Sequence, residues 1–156
     1  MEISTPRHAL MVRDANRTDL PDLKRMVEAL AKHHDDVPQI TIRALERDIF
    51  GTIPWIYVIV AEVCGRTVGY AALCPLTKLQ MGIRAIDMHH LYVEPDFRGS
   101  GTGKQLIEGA KHKARELHCT NLSVGTHPDN VDAQAVYIAC GFERRESSNP
   151  KFNIAL

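Results

Sequence analysis

The sequence predicts a mixed α/β fold in a single domain with a mostly antiparallel sheet. The 156 residues are the usual length of one domain with a full core, and no repeat or Pro/Gly linker divides them. Segments with apolar residues at helical spacing are interspersed with β-branched and aromatic runs. In the first half these runs follow one another through tight turns, which favours antiparallel pairing. We therefore expect residues 1–156 to form one domain.

The amino-terminal segment predicts a strand and two helices. A short strand over residues 8–13 precedes a helix that Thr18 or Asp19 caps. A second helix begins after Thr41 and ends at Gly51. The apolar face of the first helix consists of Leu20, Leu23, Val27, Leu30 and Ala31.

Three extended segments come next. Residues 55–63 form a β-branched and aromatic run, and a turn at residues 64–65 leads into 67–73. The third segment, 83–93, ends at the turn formed by residues 94–97. If this last strand is regular, its odd-numbered residues share one face: Ile83, Ala85, Asp87, His89, Leu91 and Val93.

The carboxy-terminal part continues with a helix, a strand and a helix. The glycine-rich residues 98–103 open the first of these helices, a strand follows at 121–126, and another helix covers about 131–140. Two further segments, 142–145 and 152–156, predict closing strands.

The composition argues against several kinds of partner. Nineteen Lys and Arg balance nineteen Asp and Glu, so there is no basic excess to bind a nucleic-acid backbone. The longest apolar stretch, 55–61, is far shorter than the ~18 residues of a membrane helix, and the first residues lack the apolar run of a secretory signal. We expect no nucleic-acid partner and no membrane association.

The spacing of cysteine and histidine gives no metal signature. Cys64, Cys74, Cys119 and Cys140 form no C-x-x-C pair, and the eight histidines contain no H-E-x-x-H. We therefore expect reduced thiols, a cytoplasmic protein and no metal site.

The segment with the most chemical information is a strand end, an acidic turn, a glycine loop and a helix start over residues 91–104. Its glycines at 99, 101 and 103 remove side chains where backbone meets a ligand, and they permit positive φ. The helix leaves its first N–H groups unpaired, and its dipole favours an anion. With Arg98 and Lys104 nearby, the segment predicts a phosphate or pyrophosphate site; the alternative is a glycine-rich surface turn. Neither the Walker nor the Rossmann spacing is present.

Two sequence motifs resemble those of the GNAT N-acetyltransferases, and they occur in the same order as in that family. The segment from Arg98 to Gly103, after the strand end 91–93, is similar to the family's Q/R-x-x-G-x-G/A motif. A later pattern is similar to the family's closing signature: Asn130, Ala133, Tyr137, Gly141 and Phe142. The order of elements fits over about 9–145. Shorter stretches (31–33, 50–54 and 60–63) resemble the diamine and polyamine acetyltransferase branch.

The resemblance implies both a fold and a co-substrate. The fold is a central sheet splayed in the middle with helices on both faces, and the co-substrate is acetyl-CoA or another acyl-CoA. Pantetheine would run between 83–93 and 121–126 on the backbone of Leu91 and Val93, and the pyrophosphate would lie on the N–H groups of residues 99–104. The donor-binding residues that the resemblance implies are Leu91, Tyr92, Val93, Arg98, Gly99, Ser100, Gly101, Thr102, Gly103, Lys104, Asn130, Ala133 and Tyr137.

Acyl transfer to an amine, whose free pKa is near ~10.4, needs a base for the amine and an acid for the leaving thiolate. The resemblance implies Tyr137 as the acid; otherwise Tyr137 is a helix tyrosine packed in the core. His89 stands where the polyamine enzymes have a carboxylate, and an imidazole, with a pKa near ~6.5, is the candidate base, directly or through water. Asp87, Glu62 or water alone are alternatives, as is a purely structural His89. Cys140 is expected to pack rather than to act as a nucleophile.

These features predict an N-acetyltransferase that acts on a primary amine of a small molecule or an amino acid by direct attack in a ternary complex. A protein or peptide acetyltransferase acting on a lysine or an amino terminus is one alternative, because the expected acceptor walls, about 33–55 and 75–84, carry no readable motif. A CoA-binding module without turnover is another, because position 89 lacks a carboxylate. The resemblance also implies a homodimer, and an edge strand at 152–156 would need cover.

Overall fold

The computed structural model describes residues 9–146 and 150–156, so His8 of the predicted first strand lies outside the described residues. The described chain falls into two compact units that divide between Gly125 and Thr126. The strands of the first unit are β1 Leu10–Asp14, β2 Tyr57–Val63, β3 Arg66–Lys78, β4 Ile83–Val93 and β5 Cys119–Val124. Its helices are α1 Leu20–His33, α2 Ile42–Phe50 and α3 Thr102–Glu116, and the second unit holds α4 Val131–Ala139. None of these helices is long and apolar enough to cross a membrane, within the described ranges.

The sheet has the strand order β1-β2-β3-β4-β5. The strands β1 to β4 pair antiparallel, and β5 pairs parallel to β4. The strand β3 extends beyond its predicted end because it pairs with β4 as far as Lys78 opposite Ile83. The predicted mixed α/β fold with a mostly antiparallel sheet is confirmed.

Different helices cover the two faces of the sheet. The helices α1 and α2 pack on one face, where the buried cluster consists of Leu20, Leu23, Met26, Leu45, Val58, Val60, Tyr70, Ala72 and Tyr92. On the other face α3 lies so close that a Cβ on Gly109 would stand 2.6 Å from Val12 Cγ1 and 3.0 Å from Ile59 Cδ1. Because successive strand residues point to opposite faces, Val58 and Ile59 pack against different helices. Helices on both faces are thus confirmed.

The strand β4 carries a β-bulge at His89. Ala72 of β3 lies opposite His90, and the next residue, Leu73, lies opposite Met88, so His89 has no partner on β3. A bulge shifts the alternation of side chains by one residue. The expectation of one regular odd-numbered face is therefore wrong: Asp87 shares its face with His90 and not with Leu91.

The sheet forks in the middle of β4. The parallel pairing with β5 ends at Met88 opposite Val124, whereas the pairing with β3 continues to Val93 opposite Gly69. In the described first unit, residues 89–93 therefore have a strand on one side only. This confirms the splayed sheet.

The predicted closing strands do not form. Residues 142–146 and 150–156 have no regular secondary structure, and residues 147–149 lie outside the described part. Phe152 and Ile154 are 94% and 81% exposed. An apolar alternation becomes a strand only where its backbone finds a partner strand, and the sequence pattern does not supply that partner.

Candidate active site

The free edge of β4 runs directly into the glycine loop. Along residues 89–93 half of the backbone N–H and C=O groups point away from β3, because a strand offers hydrogen bonds on both sides. Leu91 and Val93, the predicted pantetheine partners, lie on this segment. The carbonyl of Val93 also accepts a hydrogen bond from Arg98 Nε at 2.8 Å, which ties the loop to the strand end.

The glycine loop has the conformation that its glycines permit. Gly99 has φ 74° and Gly101 has φ 89°, in the left-handed region that favours glycine. Gly101 is the N-cap of α3 and supplies no side-chain cap, and the first main-chain bond of the helix runs from the Gln105 N–H to the Gly101 carbonyl at 3.0 Å. The N–H groups at the start of α3 are thus left for an external acceptor, and an anion is the ligand that they favour.

The two basic residues of the loop have different positions. Arg98 bonds to Val93, and its guanidinium lies over the Tyr92 ring at 5.5 Å from the ring centroid, so it shapes the loop. Lys104 is exposed at the first turn of α3 and has no ion-pair partner among the described residues. Lys104 is therefore the better placed of the two to add positive charge for a phosphate ligand.

Three predicted donor-binding side chains are already engaged within the protein. The Tyr92 ring belongs to the buried cluster under α1 and α2, and its hydroxyl donates to Glu94 Oε2 at 3.4 Å. Thr102 is buried, and its hydroxyl lies 3.2 Å from that of Ser100. At Tyr92 and Thr102 the backbone is what the site can offer to a ligand. Glu94, which also binds Arg25, anchors the acidic turn, a role that the sequence pattern did not indicate.

The bulge places two imidazoles together at the fork. The rings of His89 and His90 are stacked, with centroids 4.4 Å apart and an interplanar angle of 14°. His89 is exposed, whereas His90 is half-buried and its Nδ1 lies 3.0 Å from the Tyr70 hydroxyl oxygen. Burial, together with the smaller effects of the nearby His89 and His34, lowers the pKa of His90 to about 4. His90 is therefore neutral at neutral pH.

Sequence reasoning missed the pair of Tyr70 and His90. The His89-His90 doublet is visible in the sequence, but a regular strand would send the two rings to opposite faces. Only the register of β3 against β4 shows that His90 lies beside Ala72 and near Tyr70.

The alternative bases have partners of their own. Asp87 Oδ1 accepts a hydrogen bond from Ser123 Oγ at 2.7 Å, across the β4–β5 pairing. Glu62 is held by Arg13 at 2.8 Å. Both carboxylates have structural partners, whereas His89 is exposed on the bulge. Of the three candidate bases, His89 is therefore the one most available to a substrate.

In the second unit, the predicted motif residues organise α4. Asn130 caps the helix, its Oδ1 accepting from the Ala133 N–H at 3.2 Å. Tyr137 is half-buried and packs edge-on against Phe142, with centroids 5.8 Å apart. Burial raises the pKa of Tyr137 above its usual value, so its hydroxyl is protonated at neutral pH. Cys140 is the C-cap of α4, and the Phe142 N–H donates to the Tyr137 carbonyl at 3.0 Å.

The model of the GNAT acetyltransferase family matches residues 23–142, which is more than half of the chain. The chain belongs to the GNAT acetyltransferase family. It is accordingly an acyl-CoA-dependent N-acetyltransferase, as the two motifs had predicted. The matched range includes the fork, the glycine loop and Tyr137.

Relatives of this GNAT chain include named enzymes. It is 28% identical over 142 residues to thialysine N-epsilon-acetyltransferase of Bos taurus, covering 85% of this chain and 83% of the relative. It is 32% identical over 85 residues to aminoglycoside N(6')-acetyltransferase type 1 of Stenotrophomonas maltophilia, covering 53% of this chain and 56% of the relative. An aminoglycoside N-acetyltransferase solved in complex with CoA superposes with a TM-score of 0.80 at 22% identity, over 97% of this chain and 99% of that one, which supports the fold.

Proposed function

We propose that this GNAT acetyltransferase transfers the acetyl group of acetyl-CoA to a primary amine of a small molecule or an amino acid. The observation that carries the proposal is the free edge of β4 running into the uncapped start of α3, which offers backbone groups for an amide-bearing arm and N–H groups for its phosphates. Two kinds of relative are named for small amines, thialysine and aminoglycosides, and they support a small acceptor.

The donor would lie along residues 89–104. In the proposal the backbone of Leu91 and Val93 binds the pantetheine amides, the N–H groups of residues 99–104 bind the pyrophosphate, and Lys104 adds charge. Tyr92 and Arg98 contribute through their backbone and by shaping the loop, because their side chains are engaged. In the proposal, Asn130 and Ala133 contribute by forming the cap at the start of α4, where Asn130 Oδ1 accepts from the Ala133 N–H.

The reaction proposed is direct attack in a ternary complex. The amine nitrogen, once deprotonated, forms the N–C bond at the thioester carbonyl, and the C–S bond breaks. His89 takes the proton from the amine, directly or through water, and the Tyr137 hydroxyl gives its proton to the departing sulfur. The raised pKa of Tyr137 supports this role, because an acid must hold its proton until the thiolate forms.

Three further parts of the proposal concern the whole chain. Residues 1–156 act as one N-acetyltransferase domain, and the protein works as a homodimer. The protein acts in the cytoplasm, a compartment that suits four cysteines whose sequence spacing shows no C-x-x-C pair.

The test is thiol release from acetyl-CoA with panels of small amines, amino acids and peptides, measured for the wild type and for Tyr137→Phe. We expect turnover of a small amine, and a fall in kcat of ~10²–10⁴-fold in the variant with unchanged CoA affinity, because only the hydroxyl is lost. A variant within about twofold of wild type would remove Tyr137 from the mechanism. Turnover of peptides alone would indicate a protein acetyltransferase, and tight CoA binding with no turnover would indicate a binding module.

A further inference from the structure

The Tyr70 hydroxyl determines which nitrogen of His90 carries the proton. Tyr70 is only 1% exposed, and among the described residues the sole partner of its hydroxyl is His90 Nδ1. If Nδ1 carried a hydrogen, the buried hydroxyl would accept it and its own proton would have no acceptor, which is costly in a core. The hydroxyl therefore donates to Nδ1. A neutral imidazole with an accepting Nδ1 carries its hydrogen on Nε2.

The Nε2–H group of His90 is accessible. It has no hydrogen-bond partner among the described residues. In the same part of the chain, no fully buried side-chain nitrogen or oxygen lacks a partner, so an unpartnered Nε2 keeps some exposure to solvent. The ring is held from two sides, by the Tyr70 hydroxyl at Nδ1 and by the stacked His89 ring.

We propose that His90 is a fixed, neutral hydrogen-bond donor at the fork of the sheet, and that its Nε2–H binds an oxygen atom of the acceptor substrate. The inference rests on the function proposed above and adds a substrate class to it. The acceptor is an amine that also carries a carboxylate or hydroxyl oxygen, such as an amino acid or an amino sugar, and not a bare diamine or polyamine.

The surroundings of His90 support this class. The groups that face it are Tyr70 and Ala72 of β3, His89 on the bulge, and His34 at the end of α1; Asp87, on the same face of β4, is engaged by Ser123. This set offers a hydrogen-bond donor at Nε2, and its one carboxylate, Asp87, already accepts a hydrogen bond at Oδ1. A polyamine at neutral pH presents only N–H donors, which would meet the His90 N–H without an acceptor, whereas a carboxylate or hydroxyl would accept from it.

The tautomer of the His90 imidazole is tested in the wild-type protein by NMR of the ring nitrogens at neutral pH. We expect the His90 signals of an unprotonated Nδ1 and a protonated Nε2, and in Tyr70→Phe a loss of this single preference. A wild-type His90 with its hydrogen on Nδ1, or a charged His90, would overturn the inference whether or not any amine is acetylated.

The substrate class is tested with lysine and cadaverine, which differ only in the carboxylate. Each amine is added to the CoA-bound enzyme to measure binding, and to the enzyme with acetyl-CoA to measure turnover. We expect kcat/KM for lysine to exceed that for cadaverine by at least about tenfold, and lysine alone to shift the His90 Nε2–H signal. His90→Phe, which keeps a flat ring, should raise KM for lysine by about tenfold or more and remove the preference, and His90→Gln, which keeps an N–H donor, should restore part of it. His112→Gln on α3 is the control.

Equal kcat/KM for the two amines in the wild type, or an unchanged preference in His90→Phe, would overturn the inference while leaving the acetyltransferase function in place. If neither amine is turned over, the NMR binding measurement decides. The assigned substrate class is contradicted if neither lysine nor cadaverine shifts the His90 Nε2–H signal. Failure of every amine in the wider panel would instead contradict the proposed function.

Discussion

His89 and His90 are the same residue type in the sequence, yet the fold gives them different environments. The bulge in β4 leaves His89 exposed, while His90 lies half-buried against the Tyr70 hydroxyl. Burial penalises the imidazolium form, and a positive charge on His89 or His34 would penalise it further. This difference supports the proposed division of roles, in which His89 takes the proton from the acceptor amine and His90 binds the substrate.

Acid should destabilise the fold through His90. Its pKa is about 4 in the folded protein against an ordinary value of 6.5, so between these pH values the unfolded chain binds a proton that the folded chain does not. Stability is therefore lost as the pH falls from about 6.5 towards 4. The full shift corresponds to at most ~3 kcal/mol, and partial exposure of the ring reduces that figure.

Urea unfolding at about pH 7 and about pH 4.5 measures this effect. We expect His90→Gln to lose less stability between the two pH values than the wild type does, because it lacks the titrating group. His112→Gln, on the exposed side of α3, should behave like the wild type. Equal losses in the wild type and in His90→Gln would show that His90 is not a source of the acid sensitivity.

At the scale of an element, the start of α3 depends on backbone conformation more than on side chains. Gly101 stands at the N-cap with positive φ, and a Cβ there would meet no atom within 4 Å. A side chain at this position would therefore strain the backbone and cover the N–H groups without a clash in the core. The same strain can be introduced at Gly65, in the turn between β2 and β3, where φ is 75° and the space is equally open.

Gly101→Val should raise KM for acetyl-CoA by at least about tenfold, because the side chain covers the proposed pyrophosphate site. Gly65→Val carries a comparable backbone cost and should leave CoA affinity unchanged. Calorimetric titration with CoA, together with thermal unfolding of both variants, separates binding from stability. CoA affinity in Gly101→Val equal to that of Gly65→Val would contradict the placement of the pyrophosphate on this loop.

At the scale of the whole molecule, two features support the proposed homodimer. The strand β5 stands at the end of the sheet order, with an unpaired edge in the described first unit. In the second unit, Phe152, Ile154 and Leu156 alternate along the chain and are exposed. An open strand edge and an apolar alternating segment are both features that pairing with another chain would cover.

Light scattering at micromolar concentration should therefore give the mass of a dimer. Ile154→Glu places a charge in the apolar alternation and should weaken the dimer by at least about tenfold. Val37→Glu, at a position that is 84% exposed in the first unit, is the matched control and should leave the dimer intact. A monomeric wild type, or a dimer unaffected by Ile154→Glu, would reject this mode of assembly.

The sequence by itself determined the elements whose signals are local. The strand β4 was predicted with the bounds that it has, and α2 begins where Thr41 caps it, with Thr41 Oγ1 accepting from the Ala44 N–H at 3.1 Å. The glycine loop was predicted because positive φ favours glycine and because the start of a helix favours particular residue types, and both preferences are visible in the sequence. The family followed from the same short motifs.

Tertiary structure decided everything that depends on which partner a residue meets. Asp19, predicted as a possible helix cap, makes no side-chain cap bond to α1; its carboxylate accepts from the Asn16 N–H just before it, and also from Arg13 and from Thr67, which the fold brings to it. The bulge at His89 is a matter of register between β3 and β4, and it sets the face of every later side chain on the strand. Register and partner choice come from contacts distant in sequence, so the pairing of Tyr70 with His90 has no local signature.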